Sequence, residues 1–411
     1  MLNRFFVFLL VVVMCFLSAA CSKNDNKDTG SMDNGNDLPS TSDWYNDEAY
    51  DIDAFLKPVW RSREIYHESV LFIGDEEKTL LYKPDEILSV RSYDLKTVYK
   101  NESDYILTKD GKLKRTENSG IPVSDIEEFF PLNGGSLKIG VKNGHLPNGL
   151  TGERYVWLGS DQIITAKQAV VTYRHSEVFD GDAPESQTST FTSFLNKLNN
   201  KSDSVCIQFW GDSITWGADA SGNENRGEGK YAPFMPGWPE MVTSFLERSY
   251  NKDIKYINTA VGGYSVNDGL TKYSTAVAPY KSDLLVLGFG MNDAGMSPSD
   301  YFGTTKEIVD NYLSDNPDSC VLLVSPMYPN PDCEWSGNQP FFEAQFERLS
   351  MGYTNVGVAK VTNMHNWIMQ KKSYQDTTSN NINHPNDFLC RIYAQTVLYS
   401  IIGDEYYDFF K

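Results

Sequence analysis

Val205-Cys206-Ile207-Gln208-Phe209-Trp210-Gly211-Asp212-Ser213-Ile214-Thr215 is the stretch on which the reading of the chain turns. Its first five residues are mostly apolar and predict a buried strand. Gly211-Asp212-Ser213 then turns the chain out of it. Outward from this point, strand-like runs alternate with helical ones. Trp238, Met241, Val242, Phe245 and Leu246 recur at i, i+3, i+4, i+7 and i+8, which predicts a helix over Trp238 to Tyr250. Ile254 to Ile257, Leu284 to Leu287, Val321 to Val324 and Val356 to Val361 predict four further strands, with helices at Tyr301 to Leu313 and Phe388 to Ile402. Leu284 to Leu287 is apolar throughout, as a strand covered on both faces should be. Alternating strands and helices predict a central parallel sheet between helical layers, and ligands of such sheets bind beyond the carboxyl ends of the strands.

The residues at those ends are the chemically informative ones. Gly211-Asp212-Ser213-Ile214-Thr215 follows the first strand, Asn258-Thr259-Ala260-Val261-Gly262-Gly263 the second, and Gly290-Met291-Asn292-Asp293 the third. Asn381-Ile382-Asn383-His384-Pro385 stands near the C-terminus. A serine hydroxyl becomes a competent nucleophile only when a neighbouring base takes its proton. Ser213 at a glycine-bearing turn and His384, one of five histidines, suit that pair.

Four such blocks in this order resemble the SGNH/GDSL hydrolase superfamily over about Val205 to Ile402. The resemblance implies an α/β/α sandwich with Ser213 as nucleophile and His384 as base. It implies an oxyanion hole made of the Ser213 N–H, the Gly263 N–H and the Asn292 side-chain amide. The sequence departs from the family at one place. Where the family carries Asp three residues before the histidine, this chain has Asn381. Three readings fit. Asn381 or a carbonyl orients His384 in a Ser–His dyad; another acid serves, Asp376 and Asp387 being the nearest in sequence; or activity is lost. Asp387, just before the closing helix, equally suits an N-cap.

The first half of the chain reads differently. From Trp44 to about Gln187, short apolar and β-branched runs such as Ser69 to Ile73, Ile87 to Val90 and Ala169 to Tyr173 are separated by turn residues. This predicts an all-β, sandwich-like domain over 44–187 that folds by itself and supplies no catalytic group, ahead of an α/β domain over 188–411. At the N-terminus, Asn3-Arg4 precede an apolar run from Phe5 to Leu17 and then Ser18-Ala19-Ala20-Cys21. That is the pattern of a secretory signal over 1–20, too short for a membrane span. The small residues before Cys21 resemble a bacterial lipobox, which implies lipidation at Cys21. Residues 21–43, rich in Ser, Asn, Asp and Gly, predict a flexible tether.

Composition narrows the function further. The 411 residues carry 55 Asp and Glu against 36 Lys and Arg, a formal charge of −19, which excludes a nucleic-acid partner and a basic lipid-docking face. Membrane attachment is expected through the lipid anchor alone. Neither a zinc pair of cysteines nor any HExxH or EF-hand pattern appears, so no metal and no cofactor is expected. Cys206, Cys320 and Cys390 lie in apolar runs and read as buried thiols, with a Cys320–Cys333 bridge left open. Oligomeric state is not legible. A β domain ahead of an SGNH domain on a lipoprotein resembles bacterial carbohydrate esterases. The resemblance implies an extracytoplasmic enzyme, on the outer membrane or cell surface, that removes acetyl groups from poly- or oligosaccharides. Trp216, Trp238 and Trp335 are candidate sugar platforms, although core packing suits each of them too. Two alternatives stand beside this: a lipase or thioesterase of the same superfamily, and a non-catalytic glycan-binding surface lipoprotein.

Overall fold

The computed structural model describes residues 51–135, 137–144, 146–147, 149–159, 162–223 and 229–411. The expected signal, Cys21 and the tether lie outside the described residues. Strands β1 (Glu64–Ile73), β2 (Glu86–Ser92), β3 (Val98–Tyr99), β4 (Tyr105–Leu107), β5 (Leu113–Arg115), β6 (Val123–Ser124), β7 (Ile139–Gly140), β8 (Tyr155–Val156) and β9 (Gln168–Arg174) belong to the first half. Strands β10 (Val205–Gly211), β11 (Ile254–Asn258), β12 (Leu284–Gly288), β13 (Cys320–Val324) and β14 (Val356–Ala359) belong to the second.

The second half is the expected α/β/α layer structure. Its five strands run parallel in the order β11-β10-β12-β13-β14. The order reverses direction beside β10, the position at which such sheets bind ligands, and the Ser213 turn leaves the sheet there. Side-chain alternation builds both flanks. Leu284 and Val286 of β12 join one core with the helices Trp238–Tyr250 and Asp387–Ile402. Leu285 and Leu287 join the opposite core with Val266, Tyr301, Ile308 and Phe346. Among the described residues no helix is long and apolar enough to cross a membrane. Cys206, Cys320, Cys333 and Cys390 are separate buried thiols, so the Cys320–Cys333 bridge is not formed.

The first half is β-rich, with a five-stranded sheet in the order β3-β2-β9-β1-β6 and two hairpins, β4-β5 and β7-β8. Its core does not stop at residue 187. Ile65, Val70, Val171 and Tyr173 share one apolar cluster with Ile207, Phe209, Phe388 and Ile392. Charged groups are buried across the same boundary. Lys372 Nζ lies 2.6 Å from Glu68 Oε1 with both side chains fully covered. Glu68 also accepts from the Tyr173 hydroxyl at 2.7 Å and the Leu81 N–H at 3.0 Å. Arg391 of the closing helix donates to the Tyr66 and His67 carbonyls of β1 at 3.0 and 2.8 Å. The expected self-folding unit therefore meets a shared interior.

Candidate active site

β10 ends at Gly211, and the Asp212 side chain caps a single helical turn, Ser213–Trp216. This turn is clamped to the sheet. The Thr215 hydroxyl donates to the Gly288 carbonyl at 2.8 Å, and a Cβ on Gly211 would lie 2.2 Å from that same carbonyl oxygen. Gly211 therefore has to lack a side chain for the nucleophile turn to sit down. Gly217 ends the turn in the left-handed conformation, φ 90°. The chain then passes through Ala218 to Asp219, itself left-handed at φ 62° and buried.

That conformation aims Asp219 at the histidine. His384 Nδ1 lies 2.6 Å from Asp219 Oδ2, and His384 Nε2 lies 2.9 Å from Ser213 Oγ. With Nδ1–H donating to the carboxylate, Nε2 presents its lone pair to the serine hydroxyl. Asp219 Oδ2 also accepts from the Ser379 hydroxyl at 3.3 Å. Ser213, His384 and Asp219 thus form one hydrogen-bonded line, an arrangement able to activate a hydroxyl for attack.

Of the three readings of the missing acid, the geometry favours that of another acid, and corrects the residues named for the role. Asn381 does not orient His384. Its Nδ2 donates to the Trp157 carbonyl at 2.9 Å, and its Oδ1 accepts from Asn330 and Gln375 at 3.2 and 3.0 Å. Asp376 is engaged elsewhere, 3.0 Å from Lys78 Nζ and accepting from the Leu71 N–H at 2.7 Å. Burial alone would raise its carboxyl, but Lys78 and Lys372 outweigh that and hold it below the ordinary range. Asp387 is neither acid partner nor N-cap. Asn386 caps the closing helix through the Leu389 N–H, and Asp387 is the first helical residue. Sequence reasoning missed Asp219 because it looked for an acid near the histidine, whereas the partner stands 165 positions away. The available signal was an acid between two alanines just after Gly217, a poor setting for a solvated carboxylate.

The expected oxyanion donors sit on the neighbouring strand ends. Gly263, at φ 81°, follows β11 in a conformation that favours glycine. A Cβ on the adjacent Gly262 would lie 3.9 Å from Ser213 Cβ, which brings this loop against the nucleophile. The Asn292 amide, after β12, donates one proton to the Tyr264 carbonyl at 2.9 Å, which fixes its plane. Among the described residues the Ser213 and Gly263 N–H groups donate to no protein acceptor. Asp212 joins the two turns, accepting from the Ile214 and Met291 N–H groups at 3.0 and 3.3 Å. Burial pushes its carboxyl up to about 6, although Ile214 N–H and His384 pull it down. Burial likewise raises Asp293 to about 7, with Asp212 and Asp268 adding to the effect.

The candidate platforms separate. Trp238 is core, its Nε1 donating to the Ile214 carbonyl at 2.9 Å. Trp216, at the end of the nucleophile turn, is 40% exposed. Trp335 is half-buried and donates to the Met291 carbonyl at 3.2 Å, beside Asn292. Its loop is held from the first half of the chain, with Glu334 N–H donating to the Gly140 carbonyl at 2.9 Å and Lys142 N–H to the Asp332 carbonyl at 2.7 Å. Among the described residues no group of three His, Cys, Asp or Glu side chains is placed to hold a metal ion.

Residues 209–387 match the GDSL-like lipase/acylhydrolase family. No curated protein matches the chain. Similar solved structures include a two-domain esterase active on acetylated mannans, 18% identical with a TM-score of 0.41 over 51% of this chain and 52% of that one. Another is an acetylxylan esterase from Geobacillus stearothermophilus, 18% identical with a TM-score of 0.40 over 48% and 95%. A third is an alpha/beta hydrolase enzyme from the metagenome of Lake Arreo, Spain, 18% identical with a TM-score of 0.39 over 48% and 96%. The match spans about half the length of the two-domain esterase.

Proposed function

We propose, from the premise that residues 209–387 form a domain of the GDSL-like lipase/acylhydrolase family, that the chain is a serine esterase removing acetyl groups from a carbohydrate outside the cytoplasm. The observation that carries the chemistry is the line Asp219–His384–Ser213, with spacings of 2.6 and 2.9 Å. Ser213 Oγ attacks the acyl carbonyl carbon while its proton passes to His384 Nε2. The negative charge on the former carbonyl oxygen meets the Ser213 and Gly263 N–H groups and the free amide proton of Asn292. As the C–O bond to the sugar breaks, His384 returns the proton to the departing oxygen. Water then repeats the sequence against the acyl-enzyme and releases acetate. Asp219 keeps the imidazole in the productive tautomer and supports its positive charge in the transition state.

Two features favour a sugar ester over a fatty acyl ester. Trp216, exposed at the end of the nucleophile turn, and half-buried Trp335, hydrogen-bonded to the Met291 carbonyl beside the Asn292 donor, place aromatic side chains of the kind that cover the apolar side of a sugar ring near the site. The flanking side chains Asn258, Tyr264 and Asn292 are polar or amphipathic, with Val261 the exposed aliphatic one beside them. Placement outside the cytoplasm, with a lipid on Cys21, rests on the Phe5 to Leu17 run and the small residues before Cys21. Acetate release from a panel of acetylated polysaccharides tests the reading, with Ser213→Ala as control. No release above that control from any of them, while long-chain esters turn over, would transfer the enzyme to the lipase class. Retention of the chain in the membrane fraction by Cys21→Ser would remove the anchor.

A further inference from the structure

The segment 377–386 carries His384 yet contains neither helix nor strand. Its backbone groups still need partners, because it is buried almost throughout. Most of these partners lie within the segment itself, but the Thr378 and Asn380 carbonyls, the Gln375 and Asp376 carbonyls just before it, and the Asn381 and Asn386 side chains are held from the first half of the chain. Gln168, the first residue of β9 and fully buried, donates from Nε2 to the Gln375 carbonyl at 2.8 Å and the Thr378 carbonyl at 2.9 Å. Its Oε1 accepts from Asn386 Nδ2 at 3.0 Å. Ser69 of β1 donates to the Asp376 carbonyl and accepts from Asn386 Nδ2 at 2.9 Å. The Trp157 carbonyl takes the Asn381 amide, and the Gly159 N–H donates to the Asn380 carbonyl at 3.1 Å.

These contacts reach His384 in one further step. Thr378, held by Gln168, donates from its hydroxyl to the His384 carbonyl at 2.8 Å. The same hydroxyl accepts from the Asn381 N–H at 3.0 Å, while Asn380 Oδ1 accepts from the His384 N–H at 3.0 Å. Both backbone polar groups of the histidine are therefore fixed by residues whose own positions are set from β9 and from the β8–β9 connection.

We infer that the N-terminal sheet is the template of the catalytic histidine loop, with Gln168 as its principal positioning residue. The inference rests on the esterase reading and gives the first half of the chain a part in it. The sheet touches no reacting atom. It holds the 375–386 backbone so that the imidazole stays in line between Ser213 and Asp219. A displacement of about 1 Å in such a group can cost on the order of 100-fold in rate, so a loosened loop should show in kcat rather than in substrate affinity.

The test compares two buried glutamines that join the same two halves. Gln168→Met keeps the side-chain length and removes all three hydrogen bonds to the loop. Gln395→Met removes the bonds of Gln395 to the Phe55 carbonyl and the Val59 N–H, away from the histidine segment. Both variants are measured as full chains for folding by circular dichroism, for Tm, for kcat and KM on p-nitrophenyl acetate, and for the downfield NMR signal of the His384 Nδ1 proton. We expect Gln168→Met to lower kcat by roughly 10- to 100-fold with KM within about twofold, and to broaden or erase the Nδ1 signal. Gln395→Met should lower Tm and leave kcat within about twofold. Wild-type kcat and an intact Nδ1 signal in Gln168→Met would overturn the inference, as would an equal kcat loss in Gln395→Met. Should Gln168→Met not fold, Ser69→Ala takes its place and must show the same kcat-selective loss. If wild type and Ser213→Ala are equally inactive on every ester, the esterase reading is what fails, and the Nδ1 signal still reports whether the sheet positions His384.

Discussion

A left-handed backbone at a residue with a β-carbon is uncommon, and short acids and amides tolerate it best. Asp219 at φ 62° and Asn381 at φ 67° both adopt it, and each does so where its side chain bridges distant segments. Asp219 takes the orienting role that the sequence suggests for Asn381, while Asn381 ties its loop to Trp157, Asn330 and Gln375. Asp219→Asn keeps the shape and removes the charge, so it should lower kcat by about 10⁴-fold, as neutralising the acid of such a line does. Steady-state kinetics on an acetyl ester measure this, and activity within tenfold of wild type would return the site to a dyad. Asn381→Ala should act mainly on stability, since it loses bonds to Trp157, Asn330 and Gln375 and strains an αL position. Thermal melting reads that loss. Asp387 supplies a pH test. Burial lifts its carboxyl to about 6, against the pull of the Ser221 N–H and hydroxyl, the Tyr93 hydroxyl and Arg391. A folded pKa above the unfolded one means that its contribution to stability is complete below about 3.9 and lost as pH rises through about 6. Asp387→Asn, which has no such titration, should therefore gain in Tm relative to wild type between pH 4 and pH 8. A difference that is flat with pH would show that Asp387 is not the group responsible.

At the scale of elements, the strands and long helices of the second half were legible and the short connectors were not. The Trp238 to Tyr250 spacing predicts its helix to the residue, and all five stripe positions are buried. The Leu284 to Leu287 run is a strand buried on both faces. The helices Val266–Ala276 and Phe342–Ser350 escape a periodicity reading because polar and small residues interrupt their apolar faces. Ser213, Gly263, Asn292 and His384 could be named because they occupy strand ends or a recognisable block. Asp219 could not, because it is placed by a left-handed cap and a long-range contact that no local pattern encodes. The clamp beneath Ser213 gives a prediction of its own. A Cβ on Gly211 meets the Gly288 carbonyl and the Thr215 hydroxyl at 2.2 and 2.4 Å, both of them fixed. Gly211→Ala should cost about 1–3 kcal/mol or more in chemical denaturation and tilt the nucleophile turn. Unchanged stability would mean that β10 and β12 can separate without loss.

Across the whole molecule, the halves share one interior, and a charged pair, Glu68 and Lys372, is buried within it. Lys372→Met leaves Glu68 buried without its cation, which should destabilise by about 3–5 kcal/mol. Glu68→Gln combined with Lys372→Met should recover much of that, because no charge then remains unpaired. Urea denaturation of both variants separates the pair from the packing around it, and equal losses in the two would assign the whole effect to packing. A chain beginning at Thr188 loses the sheet that covers Phe388 and Ile392 and should not give a cooperative thermal transition. The same pair also sets a clock on biosynthesis. Glu68 and Lys372 are 304 positions apart. At about 5–20 residues per second, the carboxylate is made roughly 15–60 s before its cation. During that interval β1 has no closing helix to lie on, so the apolar surface it shares with Phe388 and Ile392 stays uncovered. The last forty or so residues complete the interior against which β1 lies, and a nascent chain that stalls before them keeps that surface open to chaperones and proteases.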